Sequence, residues 1–267
     1  MPRKRKHAPK WLEAARQGGR PGETTFDWIS RALARAGVIP LRDAEAAVQA
    51  GRVQVAGRTV TAPISLVRPG DEVRVDGKVV SIAATTRCLM FHKPAGIVTA
   101  GSDPEGIGTV FEALGRVLPP ELARYGWHAI GRLDRDTTGL LLFTNDEKLV
   151  AHATLPERHL PKRYVAQVQG TPTDEKLDPL RRGVMLQDGL ARPARAEIRA
   201  DCRVELTITE GRNHQVKRML SAVKLPVVQL HREAVGGVVL DVPEGAFREL
   251  SAEEIEAGLG FTPRTIP

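Results

Sequence analysis

Apolar and polar positions follow different rhythms in the two parts of the chain. In FDWISRALARAG, Phe26, Ile29, Leu33 and Ala36 recur at the spacing of one helical face, and Gly37 supplies a stop. LRDAEAAVQAG predicts a second short helix, closed by Gly51. RVQVAGRTV then alternates about an Ala56-Gly57 turn, and PGDEVRVDGKVV repeats the alternation about Asp76-Gly77, a strong hairpin dipeptide. Two helices followed by short strands make residues 25–80 a small α+β module.

After the bridge IAATTR the apolar runs lengthen. CLMFHKP, GLLLFTND, KRYVAQVQG, RVELTITEG and PVVQLHREAVGGVVL read as strands, many of them apolar and β-branched. VFEALGRVL, EKLVAHATL, TDEKLDPLRRG and NHQVKRMLSAV predict helices between them. In the last of these, Val216, Met219, Leu220 and Val223 make an apolar face and leave Lys217 on the other side. The chain therefore predicts an α+β protein: the small helix-helix-strands module, a mixed-sheet domain over 86–250, and a C-terminal helix and tail over 251–267.

Composition narrows the class. A chain of 267 residues can bury one large core or two ordinary ones. No run approaches eighteen apolar residues, which argues against a membrane span. Residues 1–24 are basic and polar with no apolar h-region, so they read as a disordered tail and not as a secretory signal. Cys88 and Cys202 form neither a CxxC pair nor a Cys/His cluster, so no disulfide framework or metal site is expected and a cytoplasmic setting fits. The net charge of +7 points to a polyanionic partner. Residues 1–20 hold seven Lys/Arg against one Glu, and residues 25–80 hold eight basic against six acidic; from 81 onward the count is 24 against 24. That distribution assigns contact with a polyanion mainly to the first eighty residues.

The segment GRLDRDTTGLLLFTND carries the candidate chemistry. A polar loop with Asp134 and Asp136 among Arg132 and Arg135 runs into LLLF, a buried-strand pattern. On these residues alone, Asp134 is either a catalytic carboxylate on a rigid frame or part of a surface turn with paired charges.

The larger context resolves that choice by resemblance. GRLDRDTTGLLLFTND resembles the signature of the RsuA/RluB group of pseudouridine synthases almost letter for letter. FHKPAGIVTAGSDPEG, KRYVAQVQG, EGRNHQVKRM and VVQLHREAVGGVVL resemble the group's other elements, in its order. Residues 25–80, with Arg31, Arg35, Arg42 and the two hairpins, resemble the RNA-binding domain named after ribosomal small-subunit protein four.

The resemblance implies a fold and an activity. It implies a pseudouridine synthase catalytic domain that isomerises a uridine in ribosomal RNA, free or in an assembling subunit, as a monomer without cofactor or metal. It assigns catalysis to Asp134, held ionised by Lys217, with Tyr164 stacked on a flipped base. RNA contacts fall to Arg132, Arg31, Arg35, Arg42, Arg212, His214, Arg218 and Lys93. The stretch GSDPEGIGTVFEAL points to the RluB-like, large-subunit branch. A small-subunit 16S substrate, and a non-catalytic ribosome-assembly factor on the same fold, stand as alternatives.

Overall fold

A computed structural model describes residues 27–101, 103 and 106–266. The basic tail over 1–24 and Phe26 lie outside the described residues. Contacts divide the chain into two units. One comprises the described residues up to Thr85, Pro120–Gly126 and Thr265–Ile266; the other comprises Thr86–Pro119 and Trp127–Arg264.

In the first unit, α1 (Ile29–Arg35) and α2 (Leu41–Gln49) pack on a four-stranded antiparallel sheet. Its strands are β1 (Val53–Val55), β2 (Arg58–Val60), β3 (Val73–Val75) and β4 (Lys78–Val80), in the order β2-β1-β3-β4. The alternation in the sequence becomes a one-sided core: Val53, Val55, Val73 and Val75 face Ile29, Leu33, Ala44 and Val48. The helix α1 starts at Ile29 because Asp27–Trp28 are taken as a short strand pairing Leu66–Val67. Residues 120–126 fall in this unit although the sequence pattern placed them in the larger domain. Gly126 N–H donates to the Ala34 carbonyl at 2.9 Å, and the Tyr125 ring lies where a side chain at Gly37 would go.

The second unit is built on a nine-stranded sheet. Its elements, in chain order, begin with β5 (Cys88–Lys93), α3 (Val110–Val117), β6 (His128–Ile130), β7 (Thr137–Thr144) and α4 (Glu147–Thr154). Then come β8 (Lys162–Val168), α5 (Asp174–Arg182), and the short strands β9 (Met185–Leu186) and β10 (Gly189–Leu190), which form a separate hairpin. The chain continues through β11 (Arg195–Arg199), β12 (Arg203–Ile208), α6 (Gln215–Ala222), β13 (Val227–Val235), β14 (Val238–Val239), β15 (Phe247–Glu249) and α7 (Ala252–Leu259). The main order is β11-β12-β8-β13-β7-β5-β15, with β14 on β13 and β6 on β7.

The central strand β7 is buried on both faces, so LLLF reads as a continuous apolar run. Leu140 and Leu142 join Cys88, Met90, Leu149, Ile255 and Leu259 under α4 and α7. Phe143 meets the rings of Phe91 and Phe111 edge-on at 6.2 and 5.5 Å between centroids. The C-terminal helix thus belongs to the core of this unit. Just beyond it, Arg264 forms a two-pronged ion pair with Asp146, at 3.0 and 2.8 Å, and Thr86 donates to the same carboxylate at 2.9 Å. Asp146 also caps α4 through Lys148 N–H. Burial opposes ionisation of Asp146, but Arg264 and Thr86 outweigh it and hold the carboxyl below its ordinary range. No described helix is long and apolar enough to cross a membrane.

One pair in this sheet is parallel: β7 beside β13, with Thr137–Gly139 opposite Leu230–Arg232. Gly139 makes the close approach possible. Its φ is +107°, and a Cβ there would sit 2.3 Å from the Arg232 carbonyl oxygen. Gly139→Ala is therefore expected to cost about 3 kcal/mol or more, read as a lowered denaturation midpoint. A midpoint equal to wild type would show that β7 and β13 do not meet this closely.

Candidate active site

The site is built where β7 begins. The backbone of Arg132–Thr137 is held at almost every residue. Thr99 exchanges two hydrogen bonds with Leu133, donating to its carbonyl at 2.9 Å and accepting from its N–H at 3.2 Å. Arg232 donates to the Arg132 carbonyl at 3.4 Å, and Gly96 N–H donates to the Arg135 carbonyl at 2.8 Å.

Lys93 completes the frame. It is fully buried, and its ammonium donates to the carbonyls of Pro94 (2.9 Å), Arg135 (3.2 Å) and Thr137 (2.9 Å). Burial pulls its pKa down to about 8, partly offset by the Asp136 and Asp134 carboxylates. The sequence-based RNA contact for Lys93 is thereby corrected: a side chain with no exposed surface and three internal acceptors cannot reach a phosphate. Its position at the end of an apolar strand gave the signal, since a lysine there is either solvated or fully satisfied inside.

On this frame Asp134 meets two partners from the α6 region. Lys217 Nζ lies 3.3 Å from one carboxylate oxygen and His214 Nε2 lies 3.4 Å from the other. The buried face of Val216, Met219 and Leu220 fixes α6, and this turns Lys217 toward Asp134. His214 adopts a left-handed backbone, φ +49°, immediately before the helix. Lys217 is shared: its ammonium also donates to Asp136 at 2.5 Å, and that hydrogen bond lowers the Asp136 pKa. The carboxylate and lysine expected to act together are thus adjacent, with a second carboxylate on the same ammonium.

Tyr164 stands opposite. It is buried on β8, directly across from Arg232 on β13, at a register shift between Arg163 and Tyr164. Arg232 is 2% exposed, reaches the Tyr164 hydroxyl at 3.4 Å and the Leu140 carbonyl at 2.8 Å, and lies 5.9 Å from the tyrosine ring centre. Its remaining terminal nitrogen has no partner among the described residues. Arg232 was not among the expected site residues. An arginine on the inward-facing positions of its strand, in phase with Leu230 and Ala234, was the available signal, because a buried guanidinium must be neutralised or hydrogen-bonded.

These groups line a cleft of about 680 Å³ that also takes in Arg132, Arg135, Lys162, Arg212 and Glu210. Five cationic side chains, Arg132, Arg135, Lys162, Arg212 and Arg232, face two carboxylates, Asp134 and Glu210. A unit with balanced charge therefore concentrates positive charge at one place. Burial lowers the Lys162 pKa.

The remaining expected RNA contacts divide. Arg132 is exposed on the cleft wall. Arg212 and Arg218 already have partners: Arg212 donates to the Gly189 (3.2 Å) and Leu190 (2.7 Å) carbonyls, and Arg218 pairs with Asp188. In the first unit Arg31 lies over the Trp28 ring at 4.4 Å, Arg35 pairs with Asp27, and Arg42 is exposed at the start of α2.

The chain is similar to known proteins over most of its length. The RNA pseudouridylate synthase family model matches residues 87–222, and the S4 domain model matches residues 28–73. A Haemophilus influenzae protein described as ribosomal large subunit pseudouridine synthase B is 34% identical over 258 residues, spanning 92% of this chain and 71% of its own. An Escherichia coli (strain K12) protein of the same description is 36% identical over 233 residues, spanning 83% of this chain and 78% of its own. A crystal structure described as pseudouridylate synthase superposes with a TM-score of 0.60 at 30% identity, covering 88% of this chain and 99% of that one.

Removing the Lys93 ammonium takes a hydrogen-bond donor from the carbonyls of Pro94, Arg135 and Thr137, of which Arg135 keeps Gly96 N–H. Lys93→Met is expected to lose about 2–4 kcal/mol of stability in chemical denaturation. The sign of its pH dependence follows from the lowered pKa. Between pH 8 and about 10.5 the unfolded chain binds more protons at Lys93 than the folded one. The gap between wild type and Lys93→Met should accordingly widen as pH rises through that window, and a constant gap would contradict the burial.

Proposed function

Because the chain belongs to the RNA pseudouridylate synthase family, we propose that it isomerises a uridine in large-subunit ribosomal RNA, using Asp134 as the catalytic carboxylate. The observation that carries this reading is the Asp134 carboxylate bracketed by Lys217 and His214, in a positively lined cleft that also holds Tyr164. The large-subunit target is supported by the description of the Haemophilus and Escherichia relatives.

The reaction breaks the bond between ribose C1′ and uracil N1, turns the base, and joins C1′ to C5. N1 gains a proton, C5 loses one, and no electrons are exchanged overall. The carboxylate acts at the sugar, either as nucleophile at C1′ or as base at C2′. Both routes use the carboxylate form, beside which Lys217 Nζ lies at 3.3 Å. The Lys93, Thr99 and Arg232 hydrogen bonds hold the backbone on either side of Asp134, which fixes the direction of its carboxylate. Tyr164 offers its ring to a uracil extruded from the RNA, replacing part of the lost stacking. In this reading Arg132, exposed on the cleft wall, and the exposed Arg42 of the first unit contact phosphates.

The test compares wild type and Asp134→Asn on large-subunit rRNA transcripts, with pseudouridine detected by mass spectrometry. Wild type should form pseudouridine, while Asp134→Asn should bind with similar affinity and lose at least about 10³-fold in rate. Conversion by Asp134→Asn at the wild-type rate would reject the carboxylate. Conversion of small-subunit transcripts alone would reject the target.

A further inference from the structure

The β9–β10 hairpin shows an unusual pairing. Met185 and Leu190 are cross-strand partners, 68% and 59% exposed, while Leu186 points into the protein. Both outward positions of this small hairpin are therefore apolar. The hairpin is also firmly held. Arg212 grips the carbonyls of Gly189 and Leu190, Arg218 pairs with the turn residue Asp188, and Ala191 N–H donates to the Val184 carbonyl at 2.9 Å. A rigid apolar pair in water carries a solvation cost that a partner would relieve.

Position and size identify the partner. Arg212 lines the cleft that holds Asp134 and donates to two hairpin carbonyls, so one side chain links the apolar pair to that cleft. Two side chains fall far short of the roughly 800 Å² that each protein contributes to a stable interface. They match the face of a single nucleobase. Exposed arginines flank the pair in the chain, Arg182 before it and Arg192 after it, and both suit a polyanion.

We propose that Met185 and Leu190 form an apolar platform for an RNA base next to the target uridine, one that loses its stacking neighbour when that uridine enters the cleft. This rests on the RNA-modifying reading above. Arg212 and Arg218 then serve RNA indirectly, by fixing the hairpin. Methionine and leucine are among the side chains that wedge against unstacked bases, and the contact offsets part of the few kcal/mol of extrusion.

The test is steady-state conversion of a large-subunit rRNA transcript by full-length M185S/L190S, M185F/L190F and V239S. Val239 is a comparably exposed apolar residue on β14, away from the cleft lining. M185S/L190S should lower kcat/KM about tenfold, mainly through KM, with a melting temperature equal to wild type. M185F/L190F should keep near-wild-type conversion, and V239S should match wild type. Equal kcat/KM for M185S/L190S and wild type would overturn the platform, as would a fall in kcat at constant KM. So would a halved mass in sedimentation for M185S/L190S, which would assign the pair to a second copy of the chain. If wild type itself converts no uridine, the failure lies with the functional reading and not with the hairpin.

Discussion

A single buried ammonium organises the site. Lys93 ties the end of β5 to the turn that precedes β7, giving one hydrogen bond to its own strand end and two to the turn. A charge in the interior is costly unless its donors are satisfied, and here all three are. The cost is matched by a gain in definition, because carbonyls of a polar turn would otherwise seek water and draw the turn outward. With them engaged, Asp134 projects from a backbone that is held from below by Lys93, from one side by Thr99 and from the other by Arg232.

Arg232 plays the matching part across the sheet. It lies on the parallel strand β13, opposite Gly139 of β7 and Tyr164 of β8, and so touches both walls of the cleft. The missing Cβ at Gly139 lets β7 and β13 approach closely enough for one guanidinium to bind a carbonyl of the Asp134 turn and the tyrosine hydroxyl together. Carboxylate and aromatic ring are thus indexed to the same side chain, while Lys217 arrives from a helix fixed by its own apolar face. Three segments distant in sequence thus converge on one cleft.

Much of this was legible in the chain. The 3.6-residue and two-residue rhythms located both helices and both hairpins of the first unit, and LLLF announced the doubly covered central strand. The motif order brought Asp134, Lys217 and Tyr164 together before any coordinates. What escaped depended on partners far away in sequence. Lys93 looks solvent-bound until the carbonyls of residues 135 and 137 are placed above it. Arg212 and Arg218 look like free cations until Asp188 and the hairpin carbonyls arrive. Arg195–Arg199 pairs as a strand because β12 supplies a template, although its own pattern of alternating charges is weak. The balanced charge count beyond residue 81 concealed a positive cleft, since a sum over a chain says nothing about where the charges gather.

The Asp146 cluster bears on how the molecule is made. Its carboxylate joins Thr86, at the entrance to the larger unit, to Arg264, 178 residues later and at its exit. During synthesis the amino-terminal half of that unit would leave the ribosome with this buried acid lacking its arginine partner. The closure must await Arg264, and contacts of such long sequence separation slow folding. A chain interrupted just before Arg264 would retain nearly every strand and helix, yet carry an uncompensated charge beneath α4. A chain cut just before Arg264 is thereby marked for removal by its own instability.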